Sequence, residues 1–253
     1  MRWLCLIVSY VLASQALYAQ NNLQHQMVVR NYPSDHFSIA IPSGWVEIPK
    51  SELKLMEEYA RKAATNMGPQ PFNYGFRASA ESYFPYIVIQ IKKNGRWTED
   101  AIEKMAKAPS PQQEIQKQIR TQSPTLAALN IKIGEVTYDS AMRILWIRMQ
   151  GRADDGQMQQ SLLGSHPTSV GSIQVNGHSL DVDFEQYAPL FATIVTSIQI
   201  DDEWKYRERS RVARFMDGLA NFVGPAVSII AVLTVFHFMR KRKHGGKTAH
   251  RST

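Results

Sequence analysis

The sequence predicts an α+β fold, a sandwich around a largely antiparallel sheet, held between an export signal at one end and a membrane span at the other. Two patterns in residues 37–200 carry the fold. Apolar residues alternate with period two in a succession of short runs, as in strands with a buried face. Runs of helical period are inserted between them, and the strand-to-strand connections are of hairpin length, which favours antiparallel pairing. A third observation, the distribution of charge, separates the domain from its ends. The 253 residues carry a formal net charge of +7, yet residues 20–200 hold 17 basic and 17 acidic side chains and residues 201–217 hold five of each. The excess is Arg2 plus Arg240, Lys241, Arg242, Lys243, Lys247 and Arg251. Net neutrality disfavours a basic nucleic-acid-binding face on the domain, and no nucleic acid is expected as a partner.

Taken in order, residues 20–36 are polar and read as a leader into the domain. In "HFSIAIPSGWVEIP", Phe37, Ile39 and Ile41 alternate as one strand, "PSG" turns the chain, and Trp45–Ile48 makes a second. After Pro49, Leu53, Met56, Ala60, Ala64 and Met67 fall at helical spacing, with Glu52 early and Gly68 at the stop. Strands follow at Asn73–Ser79 and Ser82–Lys92, where Ile87, Ile89 and Ile91 share one face opposite Val88, Gln90 and Lys92. Thr98, Glu99 and Asp100 cap a helix through Lys107, and a second helical stretch runs from Gln112 to Arg120. Ile131–Tyr138 and Ala141–Gln150 read as a hairpin turned at Asp139 and Ser140, and "GRADDG" as a loop into a strand Gln157–Leu163. A strand Val170–Val175 ends at Asn176 and Gly177. Asp183 or a neighbour caps a helix with the stripe Phe184, Tyr187, Phe191 and Ile194, where Pro189 predicts a kink or a late start near Ala188. The last strand is Ser197–Ile200, and residues 201–217, mixed in sign at helical spacing, read as a charged juxtamembrane stalk helix with Trp204 exposed.

The two ends give the topology. "MRWLCLIVSYVLASQALYAQ" has one positive charge, an apolar run and small residues at Ala13, Ser14, Ala16 and Ala19, the layout of a signal peptide over residues 1–19 with cleavage after Ala19 or Ala16. Cys5, the one cysteine, leaves with it, so the mature chain has no thiol for a disulfide or a metal site. The uncharged stretch 218–239 is 22 residues long, about 33 Å as a helix against about 30 Å of hydrocarbon. With a signal ahead of it, this stretch acts as a stop-transfer. The domain then stands in the periplasm, anchored in the inner membrane by a single pass, and the tail 240–253 is cytoplasmic, with Arg240, Lys241, Arg242 and Lys243 against anionic lipid. Ala220, Gly224 and Ser228 recur every four residues and allow two spans to pack closely as a homodimer; accommodation of Pro225 is the simpler use of the same small residues.

"FSIAIPSGWVEIP" and "FEQYAPLFATIVTSIQI" resemble the opening strand-turn-Trp and closing helix-strand elements of PsbP-like domains, a superfamily that includes photosystem II extrinsic proteins and the DcrB lipoprotein. The resemblance brackets residues 36–200, with about thirty residues carrying it. It implies an α-β-α sandwich acting as an accessory or binding module, with no enzymatic activity and no shared catalytic residue to carry over. No cofactor is expected.

Local chemistry is sparse. Trp45 could floor a ligand pocket, though a Trp after a turn is more often core. His166, His178, Asp181 and Asp183 have metal-ligand chemistry, but turn and cap use of the same residues is simpler, and Asp154, Asp155 and Gly156 lack the alternating ligands of a calcium loop. Nucleophile-elbow, zincin and phosphate-loop motifs are absent from the sequence. The expected function is a non-enzymatic binding or assembly-accessory module for envelope proteins. A ligand or envelope-stress sensor signalling through the span comes second, and an exported hydrolase with a noncontiguous site third.

Overall fold

The structure, a computed structural model, describes residues 26–63, 71–93, 95, 103, 107, 110–122, 131–152 and 156–206. The signal 1–19, most of the helix expected after Thr98, the Asp154–Asp155 loop, the stalk beyond Tyr206, the stripe Ala220, Gly224 and Ser228, and the basic group Arg240, Lys241, Arg242 and Lys243 lie outside the described residues. No helix among the described residues is long and apolar enough to cross a membrane.

The described elements run β1 (Met27–Tyr32), β2 (Phe37–Pro42), β3 (Val46–Glu47), α1 (Lys50–Ala63), β4 (Tyr74–Arg77), β5 (Tyr86–Lys92), α2 (Pro111–Gln122), β6 (Lys132–Asp139), β7 (Ile144–Arg152), β8 (Met158–Pro167), β9 (Ser172–Leu180), α3 (Phe184–Thr196) and β10 (Gln199–Ile200). The fold is α+β, and its paired strands are antiparallel. One sheet has seven strands in the order β3-β4-β5-β9-β8-β7-β6, and a smaller one has the order β1-β2-β10.

Period-two alternation decides which side chains meet. Ile87, Ile89 and Ile91 of β5 and Ile173 and Val175 of β9 join Phe37, Ile39 and Ile41 of β2 and Phe184, Phe191, Ile194 and Val195 of α3 in one core. Two glycines let the helix come this close. A Cβ on Gly164 would lie 2.2 Å from Val195 Cγ1, and one on Gly177 would lie 2.3 Å from Phe191 Cγ. On the opposite face of the large sheet, Tyr86 and Val88 meet Ile48, Phe72 and the α1 residues Leu53, Met56 and Ala60 in a second core. α2 is tied to the edge strand region by Gln116, which donates to Ile131 O (2.7 Å) and accepts from Ile133 N (3.1 Å).

Several sequence expectations are corrected. The leader contains a strand: β1 pairs with β2 along its whole length, from Met27 opposite Pro42 to Tyr32 opposite Phe37. The β6–β7 connection is wider than the tight turn expected, because Asp139 Oδ1 accepts from both Ala141 N and Met142 N and Arg143 turns at φ 55°. β9 continues through Asn176 and Gly177 to Leu180, since Gly177 serves helix packing instead of a turn. α3 begins at Phe184, carries Pro189 inside it, and has no side-chain cap bond from Asp183. Trp45 is core, as expected.

Residues 201–206 do not start a stalk helix. They form a turn and a bridge in which Asp201 N donates to His36 O (2.9 Å), Ser169 N donates to Trp204 O (2.9 Å), and Thr168 pairs with Lys205. Trp204 is half-buried, stacked on His36 at 4.9 Å with Lys93 Nζ 5.0 Å from its ring. Its indole finds more apolar contact on the domain than a charged stalk would offer.

Candidate functional site: a buried polar floor

The second face of the large sheet turns polar towards its middle. Register aligns the side chains in rows. Tyr86 of β5, His178 of β9 and Ser161 of β8 form one row; Val88, Asn176 and Leu163 the next; then Gln90, Gln174 and Ser165; then Lys92, Ser172 and Pro167. Rows on one face repeat about every 6.7 Å and neighbouring strands lie about 4.8 Å apart. The result is a grid of hydrogen-bonding groups, flanked on β7 by the buried Leu145, Ile147 and Met149.

This surface is out of water, unlike the solvated face of a typical antiparallel sheet. His178 and Ser161 are fully buried, and Gln90, Lys92, Gln159, Ser165, Ser172, Gln174 and Asn176 are buried with them. Some of these groups are used internally. Gln90 Nε2 donates to Pro71 O (3.2 Å) and Gln174 Nε2 to Ser172 Oγ (3.4 Å). Others have no hydrogen-bond partner among the described residues: Gln159 Oε1, Ser161 Oγ, Ser165 Oγ, Gln174 Oε1, both amide atoms of Asn176 and both ring nitrogens of His178. Buried polar atoms are nearly always bonded to protein or water, and each orphan costs about 1–3 kcal/mol. The orphan atoms are concentrated on two adjacent strands, β8 and β9.

Burial also sets the charge state. Desolvation lowers Lys92 to about 7, so its amine is half neutral near neutrality. The same cause takes His178 to about 3 and raises Tyr86 well above the usual phenol value; the two rings stack at 4.6 Å and 11°. No carboxylate lies on this face of β5, β9, β8 or β7 among the described residues. Arg77, at the Tyr86 end, is held by Glu52 of α1 at 2.9 Å. The backbone at the Lys92 end is fixed by the β8–β9 turn. Thr168 Oγ1 accepts from Gly171 N (2.9 Å), and a Cβ at Gly171 would sit 1.8 Å from Lys92 O, so that position needs glycine.

The sequence-level metal candidates are not brought together. His166 and His178 project from opposite faces of the sheet, because His166 pairs with Ile173 of the first core's face and His178 with Ser161 of the floor. His166 Nε2 lies 3.0 Å from Val195 O, and burial lowers it to about 4. Asp181 accepts from Gln150 Nε2 (2.9 Å) and Gln160 Nε2 (2.5 Å), a structural use. Sequence reasoning missed the floor itself, although "SLLGS" and "QVNGHS" space polar groups at i and i+2 on neighbouring strands. At the far edge, Asp35 accepts from Tyr74 Oη (2.7 Å) and lies 3.7 Å from Lys93, beside the His36–Trp204 stack. That cluster secures the chain's exit from the domain.

No family model and no curated protein matches the chain. Among solved structures it is similar to cyanobacterial PsbP from Synechocystis, at 10% identity and TM-score 0.40, covering 70% of this chain and 93% of that one. It is also similar to LpqN of Mycobacterium tuberculosis, described as involved in cell envelope biogenesis, at 12% identity and TM-score 0.35, covering 70% and 91%. A Bacteroides thetaiotaomicron protein is similar at 12% identity and TM-score 0.37, covering 66% of this chain and 46% of that one.

Proposed function

We propose that this chain is a non-catalytic binding module, tethered by a single span at residues 218–239 and held on the extracytoplasmic side, whose binding element is the buried polar floor. The observation that carries the reading is the set of eight orphan polar atoms on β8 and β9. A small molecule satisfies such atoms, whereas a protein partner needs an exposed patch. The exposed large apolar residues among those described, Val29, Val46, Met142, Val170 and Val182, come from separate elements. The ligand-binding reading of the sequence therefore stands ahead of the assembly reading.

Catalysis is disfavoured by the chemistry of one pair. Ser161 and His178 are register partners, the juxtaposition a hydrolase would use. A histidine held near 3 is a poor base, and no carboxylate on this face of the four central strands orients its ring. A second reading, an envelope protein adding a strand to the small sheet, is favoured by β1, which ends that sheet and exposes Val29.

The test is native mass spectrometry of the full chain released from membranes. A small molecule retained by the wild type and lost in Asn176→Leu is expected. An empty wild-type chain that crosslinks to a protein through β1 would reverse the order. Placement is checked separately with a periplasm-dependent reporter fused after Ile200, which is expected to be active.

A further inference from the structure

We propose that β1 is the surface by which two copies of this chain join, through an antiparallel β1–β1 ladder centred on Val29. The inference is independent of the floor and rests on how the two sheets end.

Four strands end the two sheets, β3 and β6 the large one and β1 and β10 the small one. Open edges invite pairing, and proteins shorten, bend, charge or cover them. β3 and β10 are two residues each. β6 is longer, but it is charged at Lys132 and Glu135 and bent by a register shift between Ile133 and Val136. Its start is covered by Gln116 of α2, which donates to Ile131 O (2.7 Å) and accepts from Ile133 N (3.1 Å), the two bonds a neighbouring strand would make. β1 keeps its edge open. Its six residues pair with β2 without a register shift, Arg30 is their one charge, and Val29 is 61% exposed.

The direction of the backbone groups selects the occupant. In an antiparallel pair, alternate residues exchange both bonds with the partner strand, and the residues between them point both groups away. Gln26 O accepts from Ser43 N (2.8 Å), in the same register that sets Met27 opposite Pro42, so the even residues of β1 bond towards β2. The far side of β2 has the matching phase, where Ala40 N donates to Ser197 Oγ (2.9 Å) and His36 O accepts from Asp201 N (2.9 Å). The N–H and C=O of Met27, Val29 and Asn31 therefore point away from the sheet, with no strand beyond them among the described residues. This set is symmetric about Val29. A second β1, laid antiparallel with Val29 opposite Val29, meets all three, Met27 against Asn31 of the other copy and Asn31 against Met27, for about six hydrogen bonds.

The side chains agree with that centre. Pairing with β2 puts Met27, Val29 and Asn31 on the sheet face of Ser38 and Ala40, and Val28, Arg30 and Tyr32 on the face of Phe37, Ile39 and Ile41. Centring on Val29 joins two exposed β-branched side chains and sets each Arg30 across from Val28, along which its aliphatic stem lies. A ladder centred on Arg30 would oppose the two guanidiniums directly. The small sheets of the two copies become one of six strands, in the order β10-β2-β1-β1-β2-β10, with both cores on one side. Because each copy uses the same patch, the contact closes at two. One strand pair is smaller than a stable soluble interface, so its occupancy depends on copies held together in one membrane.

The experiment is oxidative cross-linking of the full chain in isolated membranes, in a Cys5→Ser background, with single cysteines on β1 and two differently tagged copies. Val29→Cys is expected to cross-link to itself. Met27→Cys is expected to cross-link to Asn31→Cys at least tenfold more than either does to itself, since like sites lie about 14 Å apart across the ladder. Val29→Lys, added to that pair, sets like charges opposite each other at an exposed site and should reduce the product at least tenfold with the unfolding temperature unchanged. Val29→Pro should do the same, because the N–H it removes points away from β2. Equal cross-linking of like and unlike pairs, the result for copies held by the span alone, overturns the proposal, as does the absence of product at all three sites. A Val29→Cys product with a different protein and none with a second copy overturns it too, and gives the edge to an envelope partner.

Discussion

The two faces of the seven-stranded sheet are made by the same strands and differ by one residue of phase. On one, β5 and β9 offer Ile87, Ile89, Ile91, Ile173 and Val175 to α3 and the small sheet, and two glycines bring the helix almost onto the backbone. On the other, the alternate positions of β9 are Ser172, Gln174, Asn176 and His178, equally buried and largely unsatisfied. Burial alone therefore does not make a core. The first face gains from dispersion and water release, whereas the second loses stability in proportion to its orphan groups.

The contrast can be broken most strongly on the apolar face. Gly177→Leu or Gly164→Val drives a side chain into Phe191 or Val195 and should cost about 3 kcal/mol or more, with Phe191→Ala costing about 3–5 kcal/mol, measured by denaturant unfolding. The next effect comes from acid. His178 and His166 are lowered in the fold, to about 3 and about 4, against about 6.5 unfolded. Their contribution is intact above pH 6.5 and is lost as pH falls towards those values, at up to about 1.4 kcal/mol per pH unit each. Unfolding free energies between pH 7 and 4.5 should show that slope, and His178→Phe should remove about half of it.

On the polar face the sign inverts. Asn176→Leu replaces two orphan amide atoms with a hydrocarbon of the same branched shape and should raise stability by about 1–2 kcal/mol where the larger methyls are accommodated, while abolishing ligand retention. The smallest effect belongs to the surface. Glu103→Gln breaks the exposed pair with Lys107 and should change stability by less than about 0.5 kcal/mol.

Much of this architecture could be read from residues alone. Strong periodicity placed β2, α1, β5 and α3, because Ile87, Ile89 and Ile91 or Phe184, Phe191 and Ile194 can face only one way. Weak periodicity hid β1, whose Met27, Val29 and Asn31 carry no alternation and are fixed by pairing with β2. Gly177 reads as a stop in the sequence because a glycine does not say whether it frees a turn or clears space for a ring. The floor stayed hidden for a related reason. Val88, Gln90 and Lys92 alternate as a solvated face would, and nothing local distinguishes polar residues facing water from polar residues facing a covered interior. Trp204 followed the charges around it in the sequence, whereas its burial depends on His36, far away along the chain.

The turn from Thr168 to Gly171 has two duties. Gly171 abuts the carbonyl of Lys92, while Thr168 and Ser169 grip the departing chain at Lys205, Trp204 and Glu203. Tension applied beyond Tyr206 thus enters the domain through this corner together with the Arg143 contact on Tyr206 and the His36–Trp204 stack, before any long strand is loaded. Part of that anchorage and the lysine end of the floor are the same piece of backbone.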